Sequence, residues 1–118
     1  VLLKQCQHEN IVRLFGTWIK GDEIFIALEY CDGGSMADAF EFFDNPFDEL
    51  QIAAVLKNVL RGVVYLHSLN IIHRDLKGDN ILINNRGQLK LVDFGISIST
   101  SSNPARTFIG TPYYMAPE

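Results

Sequence analysis

The sequence predicts an α+β fold, and three observations predict it. Residues 11–15, with Trp18 and Ile19, and residues 24–28 are apolar stretches around the turn Lys20-Gly21-Asp22, the pattern of an antiparallel hairpin. A run from about Asp48 to His67 carries Ile52, Val55, Leu56, Val59, Leu60, Val63 and Leu66 on one helical stripe. Residues 81–83 and 89–92 then form two short apolar runs around Asn84-Asn85-Arg86-Gly87, a second hairpin.

Each element has a local reason. Residues 1–7 have the pattern of the last turns of a helix, and His8-Glu9-Asn10 is a polar break before the first hairpin. Residues 35–43 read as a short helix, with Ser35 as N-cap and Asp38 as its capping partner, ended by Asn45-Pro46. Asp48 and Gln51 repeat the capping-box spacing at the start of the long helix. That helix is expected to be core and to serve as the scaffold on which the polar loop after it is mounted; His67 near its end reads as an ordinary helix-terminal histidine. From Ile96 onward Ser97, Ser99, Thr100, Ser101, Ser102, Asn103 and Pro104 read as a flexible loop.

Composition narrows the function classes. The chain has 118 residues, 47% hydrophobic and 20% charged, a globular composition with room for one core. A net charge of -4 and a pI near 5.3 argue against a broad nucleic-acid-binding surface. Cys6 and Cys31 sit in no metal-ligand pair, and two lone thiols fit a reducing compartment, so a cytoplasmic location is expected. No apolar run is long enough to span a bilayer, no start resembles a signal peptide, and neither internal repeats nor long charge runs occur. The chain opens inside an apolar stretch and stops at Pro117-Glu118 with no helix to continue it, so it is expected to be a piece of a longer protein.

Chemistry concentrates in residues 70–95. This stretch puts His73, Arg74, Asp75, Lys77, Asn80 and Asp93 in one loop-and-hairpin segment. Asp75 and Asn80 are expected at one end of a strand, with Asp93 returning beside them as the hairpin closes. Three oxygen-bearing groups beside the cation Lys77 suit a site for Mg²⁺ and phosphate.

The strings HRDLKGDN and DFG resemble the catalytic loop and metal-binding motif of eukaryotic protein kinases. HENIVRLFG and the closing GTPYYMAPE are similar to further kinase segments, so the resemblance covers the whole chain, which corresponds to about half of a kinase domain. It implies an incomplete kinase-like fold: a small-lobe remnant at 1–28, a hinge at 29–34, and the first half of a mainly helical large lobe at 35–118. It also implies a serine/threonine kinase that uses ATP and Mg²⁺ and acts on protein substrates, with no nucleic-acid partner and no membrane span. Activation would come from an upstream kinase or from self-phosphorylation.

The resemblance assigns roles residue by residue. Asp75 is expected to accept or orient the hydroxyl proton, Lys77 to contact the γ-phosphate, and Asn80 and Asp93 to hold Mg²⁺. Leu28 would guard the back of the adenine pocket and Leu82 form its floor. Glu29, Tyr30 and Cys31 would be the hinge, reading adenine through backbone groups, with Ser35 on the same nucleotide side. His73 is expected to be structural, in an apolar stack with Phe94, Leu3 and Leu14, although a bare histidine could be read as a general base. Gly95 would free the backbone of the turn that presents Asp93, and Glu118 would be a structural residue closing the segment. Arg74 is expected to pair with phosphate on Thr107, and Thr111, with Pro112, to line the pocket for the residue after the phosphoacceptor. The overall string looks like the sterile group, which includes upstream kinases of MAP-kinase cascades, and Ile96 hints at threonine acceptors.

The Gly-rich phosphate loop and the strand lysine of the family are not in the chain, so the segment alone is expected to be inactive, with part of its long helix lacking a partner surface. A second reading, a pseudokinase or docking module, is opposed by the joint retention of Asp75, Lys77, Asn80 and Asp93. A small acidic nucleotide-binding module lacks a phosphate-cradling glycine loop.

Overall fold

The computed structural model describes residues 2–43, 46–93 and 110–117 together with the backbone of residues 98–99. Its strands are β1 (Leu14–Lys20), β2 (Glu23–Leu28), β3 (Ile71–Ile72), β4 (Ile81–Ile83), β5 (Leu89–Leu91) and β6 (Ile98–Ser99), and its helices are α1 (Met36–Phe42) and α2 (Glu49–Ser68). β1 pairs with β2, β3 with β6 and β4 with β5, all antiparallel. Single 3₁₀ turns lie at Leu2–Gln5, Gly78–Asn80 and Pro112–Tyr114. This is the α+β arrangement of hairpins set apart from helices. Among the described residues no helix is long and apolar enough to cross a membrane.

Both helices start where their capping boxes place them. Ser35 accepts from the Asp38 N–H while the Asp38 carboxylate accepts from the Ser35 N–H, and Asp48 and Gln51 do the same for α2. The β1–β2 turn matches as well, with Lys20 opposite Glu23 and Gly21 at a φ of 61°. α1 ends at Phe42, ahead of Pro46, and Asn45 lies outside the described residues.

Other expectations shift. The helix end expected at 1–7 is one 3₁₀ turn. The strand expected from Ile11 begins at Leu14, because residues 10–12 run beside β5 instead: the Leu91 N–H donates to Asn10 O at 2.9 Å and the Val12 N–H to Leu91 O at 3.0 Å. Asn10, expected in a polar break, is buried and ties three segments, donating through Nδ2 to Asn58 Oδ1 at 3.1 Å and Leu89 O at 3.0 Å. The loop expected from Ile96 is in part a strand, since residues 98 and 99 pair with β3.

The core explains how α2 acts as a scaffold. Leu3, Cys6, Ile11, Val12, Val59, Leu66, Ile71 and Leu91 are buried together, with Leu14, Val55, Val63 and Val92 packed around them. α2 therefore faces β5 and the 10–12 segment through Val59, Gly62 and Leu66. Full burial of a side chain such as Leu66 contributes roughly 1.5–3 kcal/mol. The predicted stripe is only half core: Ile52, Leu56 and Leu60 are exposed. At 3.6 residues per turn Leu56 and Leu60 have rotated away from the Val59–Leu66 line, and the short β5 covers only a narrow band.

The closest approach is at Gly62. A Cβ there would lie 2.9 Å from Leu91 Cδ1 and 3.1 Å from the Asn10 carbonyl oxygen. We expect Gly62→Val to destabilise the fold by about 1–3 kcal/mol, the cost of overpacking, despite the better helix propensity of valine. Chemical denaturation measures it; an unchanged midpoint would mean that α2 and β5 are not in this contact.

Candidate functional site

The loop between β3 and β4 is held in an unusual backbone path. Asn70, Arg74 and Asp93 are the non-glycine residues with positive φ among those described, at 57°, 70° and 60°. Each such conformation costs of order 1 kcal/mol and persists only where surrounding bonds over-determine it.

His73 supplies two of those bonds. Its ring is buried, and its Nε2 lies 2.8 Å from Val92 O, which can only accept, so Nε2 carries the proton. Nδ1 then accepts from the Asp75 N–H at 3.3 Å. Burial holds the imidazole below the usual histidine pKa, against the opposing pull of the Val92 carbonyl and of the charges on Asp75 and Asp93. A neutral ring with both nitrogens engaged is a brace. Leu3 is in the core and Leu14 packs against it.

Asp75 is where the loop converges. Asn80, itself buried, donates from Nδ2 to Asp75 O at 2.8 Å and to Asp75 Oδ2 at 3.0 Å. Lys77 Nζ lies 3.6 Å from the same Oδ2, and the Thr111 hydroxyl donates to Oδ1 at 2.6 Å. These contacts hold the Asp75 carboxyl below the usual range, the Thr111 hydrogen bond most, with Lys77 and Asn80 adding to it. Thr111 stands at the N-cap of the 112–114 turn yet makes no capping bond, because its hydroxyl is turned to Asp75. Beside it, Arg74, Asp75, Leu76, Gly110, Thr111 and Tyr114 line a cleft.

The β4–β5 hairpin brings Asp93 toward this loop. The Val92 N–H donates to Asn80 O at 3.1 Å, so the residue before Asp93 is bonded to the residue that binds Asp75. With its amide hydrogens directed to Asp75, Asn80 retains an amide oxygen. That oxygen and the Asp93 carboxylate are hard donors of the type Mg²⁺ takes, few in number as Mg²⁺ sites usually are. Among the described residues no three His, Cys, Asp or Glu side chains cluster as a metal cage.

The 28–35 segment reaches the hairpin from the other side. The Gly33 N–H donates to Ile83 O at 2.8 Å, the Ile83 N–H to Gly34 O at 2.9 Å, and Ser35 bridges Leu82. Leu82 therefore borders the predicted hinge, while Leu28 ends β2 and is partly exposed. Ser35 is the helix cap that its spacing predicts: it is buried, and its hydroxyl, the group expected on the nucleotide side, both donates to and accepts from Asp38. The Glu29 N–H donates to Arg13 O at 2.7 Å, so it too is already engaged. Burial, chiefly, pushes the Cys31 thiol up, with Glu29 adding to it, so it stays protonated.

Sequence reasoning missed three features. The Thr111–Asp75 bond spans 36 positions and leaves no local pattern. Asn10 looked like loop. Lys90 lies in an apolar run and is only 7% exposed, with its Nζ 2.9 Å from Glu29 Oε1, while Glu29 Oε2 accepts from the Arg13 N–H at 3.2 Å. A lysine between Leu89 and Leu91 was the available signal that a partner acid had to exist. Phe94, Gly95, Ile96, Thr107 and Glu118, also singled out from the sequence, lie outside the described residues, so no partner for Arg74 at Thr107 can be given.

The protein kinase domain family matches residues 1–118. The chain is 52% identical over 99% of its length to serine/threonine-protein kinase dst2 of Dictyostelium discoideum, covering 10% of that protein. It is 46% identical over its full length to human mitogen-activated protein kinase kinase kinase kinase 3, covering 13% of it, and 44% identical over 99% to Arabidopsis thaliana serine/threonine-protein kinase 1, covering 14%. The chain thus spans about a tenth to a seventh of the length of these curated relatives.

The geometry at Asp75 has a measurable consequence. A depressed carboxyl pKa stabilises the folded chain above the ordinary carboxylate range, and that contribution is lost as pH falls through the folded value. Thr111→Val removes the largest cause, so the Asp75 pKa is expected to rise toward the ordinary carboxylate range, and acid unfolding to begin at higher pH. Carboxyl NMR titration of the two proteins reads this directly; identical titration curves would mean that Thr111 does not bond Asp75.

Proposed function

The chain belongs to the protein kinase domain family, and on that premise we propose that the protein carrying it transfers the γ-phosphate of ATP to serine and threonine hydroxyls of other proteins. The observation that supports this best is the Asp75 carboxylate, ionised and oriented by Thr111, Asn80 and Lys77. A hydroxyl attacking phosphorus must lose its proton as the new bond forms, and a fixed carboxylate orients that hydroxyl and accepts the proton. His73 is a poor rival for this role, since one ring nitrogen donates to Val92 O and the other accepts from the Asp75 N–H.

The remaining roles follow from position. Lys77 brings positive charge to the transferring phosphoryl group. Asn80, through its amide oxygen, and Asp93 would hold Mg²⁺, which when bound offsets phosphate charge. Leu28 and Leu82 would enclose adenine, and the backbone of Tyr30 and Cys31 would read its edge, the Glu29 N–H being spent on Arg13. Thr111, while fastening Asp75, would also border the site of the residue after the acceptor. Arg74 would link the loop to phosphate on Thr107, and such control suits a member of a MAP-kinase-type cascade, the kind of role named in the human relative.

The test uses the full-length protein. It should transfer phosphate from Mg·ATP to a generic basic substrate, and Asp75→Asn or Asp93→Asn should reduce the rate by about 10²–10⁴-fold, the range expected for loss of a proton acceptor or of charge stabilisation. Thr107→Ala should prevent activation while leaving basal transfer in place. Equal rates in the two aspartate variants would refute the assignment.

A further inference from the structure

Residues of the 6–15 segment, Glu29 and the 86–90 part of the β4–β5 hairpin enclose an open cavity of about 440 Å³. Asp75, Lys77 and Asn80 do not line it, and phosphate transfer gives it no task. Its walls carry three cations, Arg13, Arg86 and Lys90, and one acid, Glu29. Lys90 is buried and paired with Glu29 at 2.9 Å, so these two cancel. Arg13 and Arg86 are exposed, and among the described residues neither is in an ion pair. In a chain of net charge -4 the cavity is a local excess of positive charge.

Its hydrogen-bonding groups are one-sided as well. Glu29 Oε1 faces Lys90 Nζ, and Oε2 accepts from the Arg13 N–H at 3.2 Å. Gln88 Oε1 accepts from Asn84 Nδ2 at 2.9 Å, which leaves the Gln88 amide hydrogens. His8 Nδ1 accepts from the Asn10 N–H at 3.0 Å, so its Nε2 is the donor, and the ring is held by stacking on Tyr65 at 4.8 Å. These acceptors are spent within the fold while donors remain on two guanidinium groups, an amide and an imidazole. Such a lining suits an acceptor-rich anion.

We propose that this cavity binds a small molecule carrying a phosphate monoester, with the anion held between Arg13 and Arg86. Two positive charges match a monoester of about -1.5 to -2 at neutral pH, whereas a carboxylate would answer only one of them. Each guanidinium presents paired N–H donors to two phosphate oxygens. The volume lies within the ~300–1,000 Å³ of small-molecule sites and has room for an organic group beside the phosphate. Phe15, with the Arg13 guanidinium 5.5 Å from its ring centroid, offers that group an aromatic wall. A nucleic acid, as a long polyanion, would instead meet the acidic remainder of the surface.

The probe is phenyl phosphate, titrated by isothermal calorimetry into the full-length protein. Saturable, salt-weakened binding is expected, with a loss of about tenfold in affinity, ~1.4 kcal/mol, in Arg13→Gln and likewise in Arg86→Gln, both exposed changes whose intact fold circular dichroism verifies. Lys20→Gln, at the end of β1, should bind as the wild type does. No binding by the wild type would overturn the proposal. Equal affinity in the wild type and both arginine variants would also overturn it, by placing the anion elsewhere, as would an equal loss in Lys20→Gln, which would mean unspecific attraction. Inorganic phosphate and a capped phosphoserine peptide are the two further arms, and both should bind more weakly than phenyl phosphate. Inorganic phosphate bound as tightly, or the phosphoserine peptide bound more tightly, would overturn the assignment to a small organic phosphate.

Discussion

One buried amide links the parts of the site. Asn80 donates to both the backbone oxygen and the carboxylate of Asp75, and its own carbonyl accepts from the Val92 N–H. A single residue thus closes the loop that carries Asp75 and Lys77 and fastens it to the strand end that carries Asp93. Because Asn80 is 5% exposed, water does not compete for these bonds, and losing any of them would strand a polar group at a cost of about 1–3 kcal/mol.

That economy explains why strain is tolerated nearby. Arg74 and Asp93 both take the left-handed conformation, one on each side of the Asp75–Asn80 closure. Their cost is offset by His73, whose neutral ring bonds the backbone at Val92 and at Asp75 and so braces the loop against the hairpin. Protonating that ring in acid would sacrifice one of the two bonds, so the brace weakens as pH falls below the ordinary histidine range. Farther out, Gly62 lets α2 approach β5, and the 10–12 segment is bonded to the same strand. The core therefore positions the hairpin, and the hairpin positions the site.

Local order was legible in the sequence and long-range polar bonding was not. Both capping boxes start their helices, and the hairpin turns fall where glycine and asparagine mark them, because those signals act within four residues. The site residues Asp75, Lys77 and Asn80 were readable from one contiguous string. Thr111 was placed at the substrate side but its bond to Asp75 was not foreseen, since only the tertiary fold joins them. Asn10 and Lys90 were hidden for a related reason: a polar residue is read as exposed until its buried partner is known, and those partners, Asn58 and Glu29, lie far away in sequence. The exposure of Leu56 and Leu60 likewise depends on how much surface β5 offers, which helical periodicity does not encode.

If Asn80 organises the site by donating to Asp75, the decisive substitution is Asn80→Asp, which keeps the shape and replaces the donors by a second carboxylate. The measurement is single-turnover phosphate transfer from Mg·ATP by the full-length protein, with circular dichroism to verify the fold. The account predicts a folded protein whose transfer rate falls by about 10²-fold or more, as a misoriented acceptor and like-charge repulsion at Asp75 both act against reaction. A folded Asn80→Asp protein that transfers phosphate within about threefold of wild type, under ~1 kcal/mol, would contradict it.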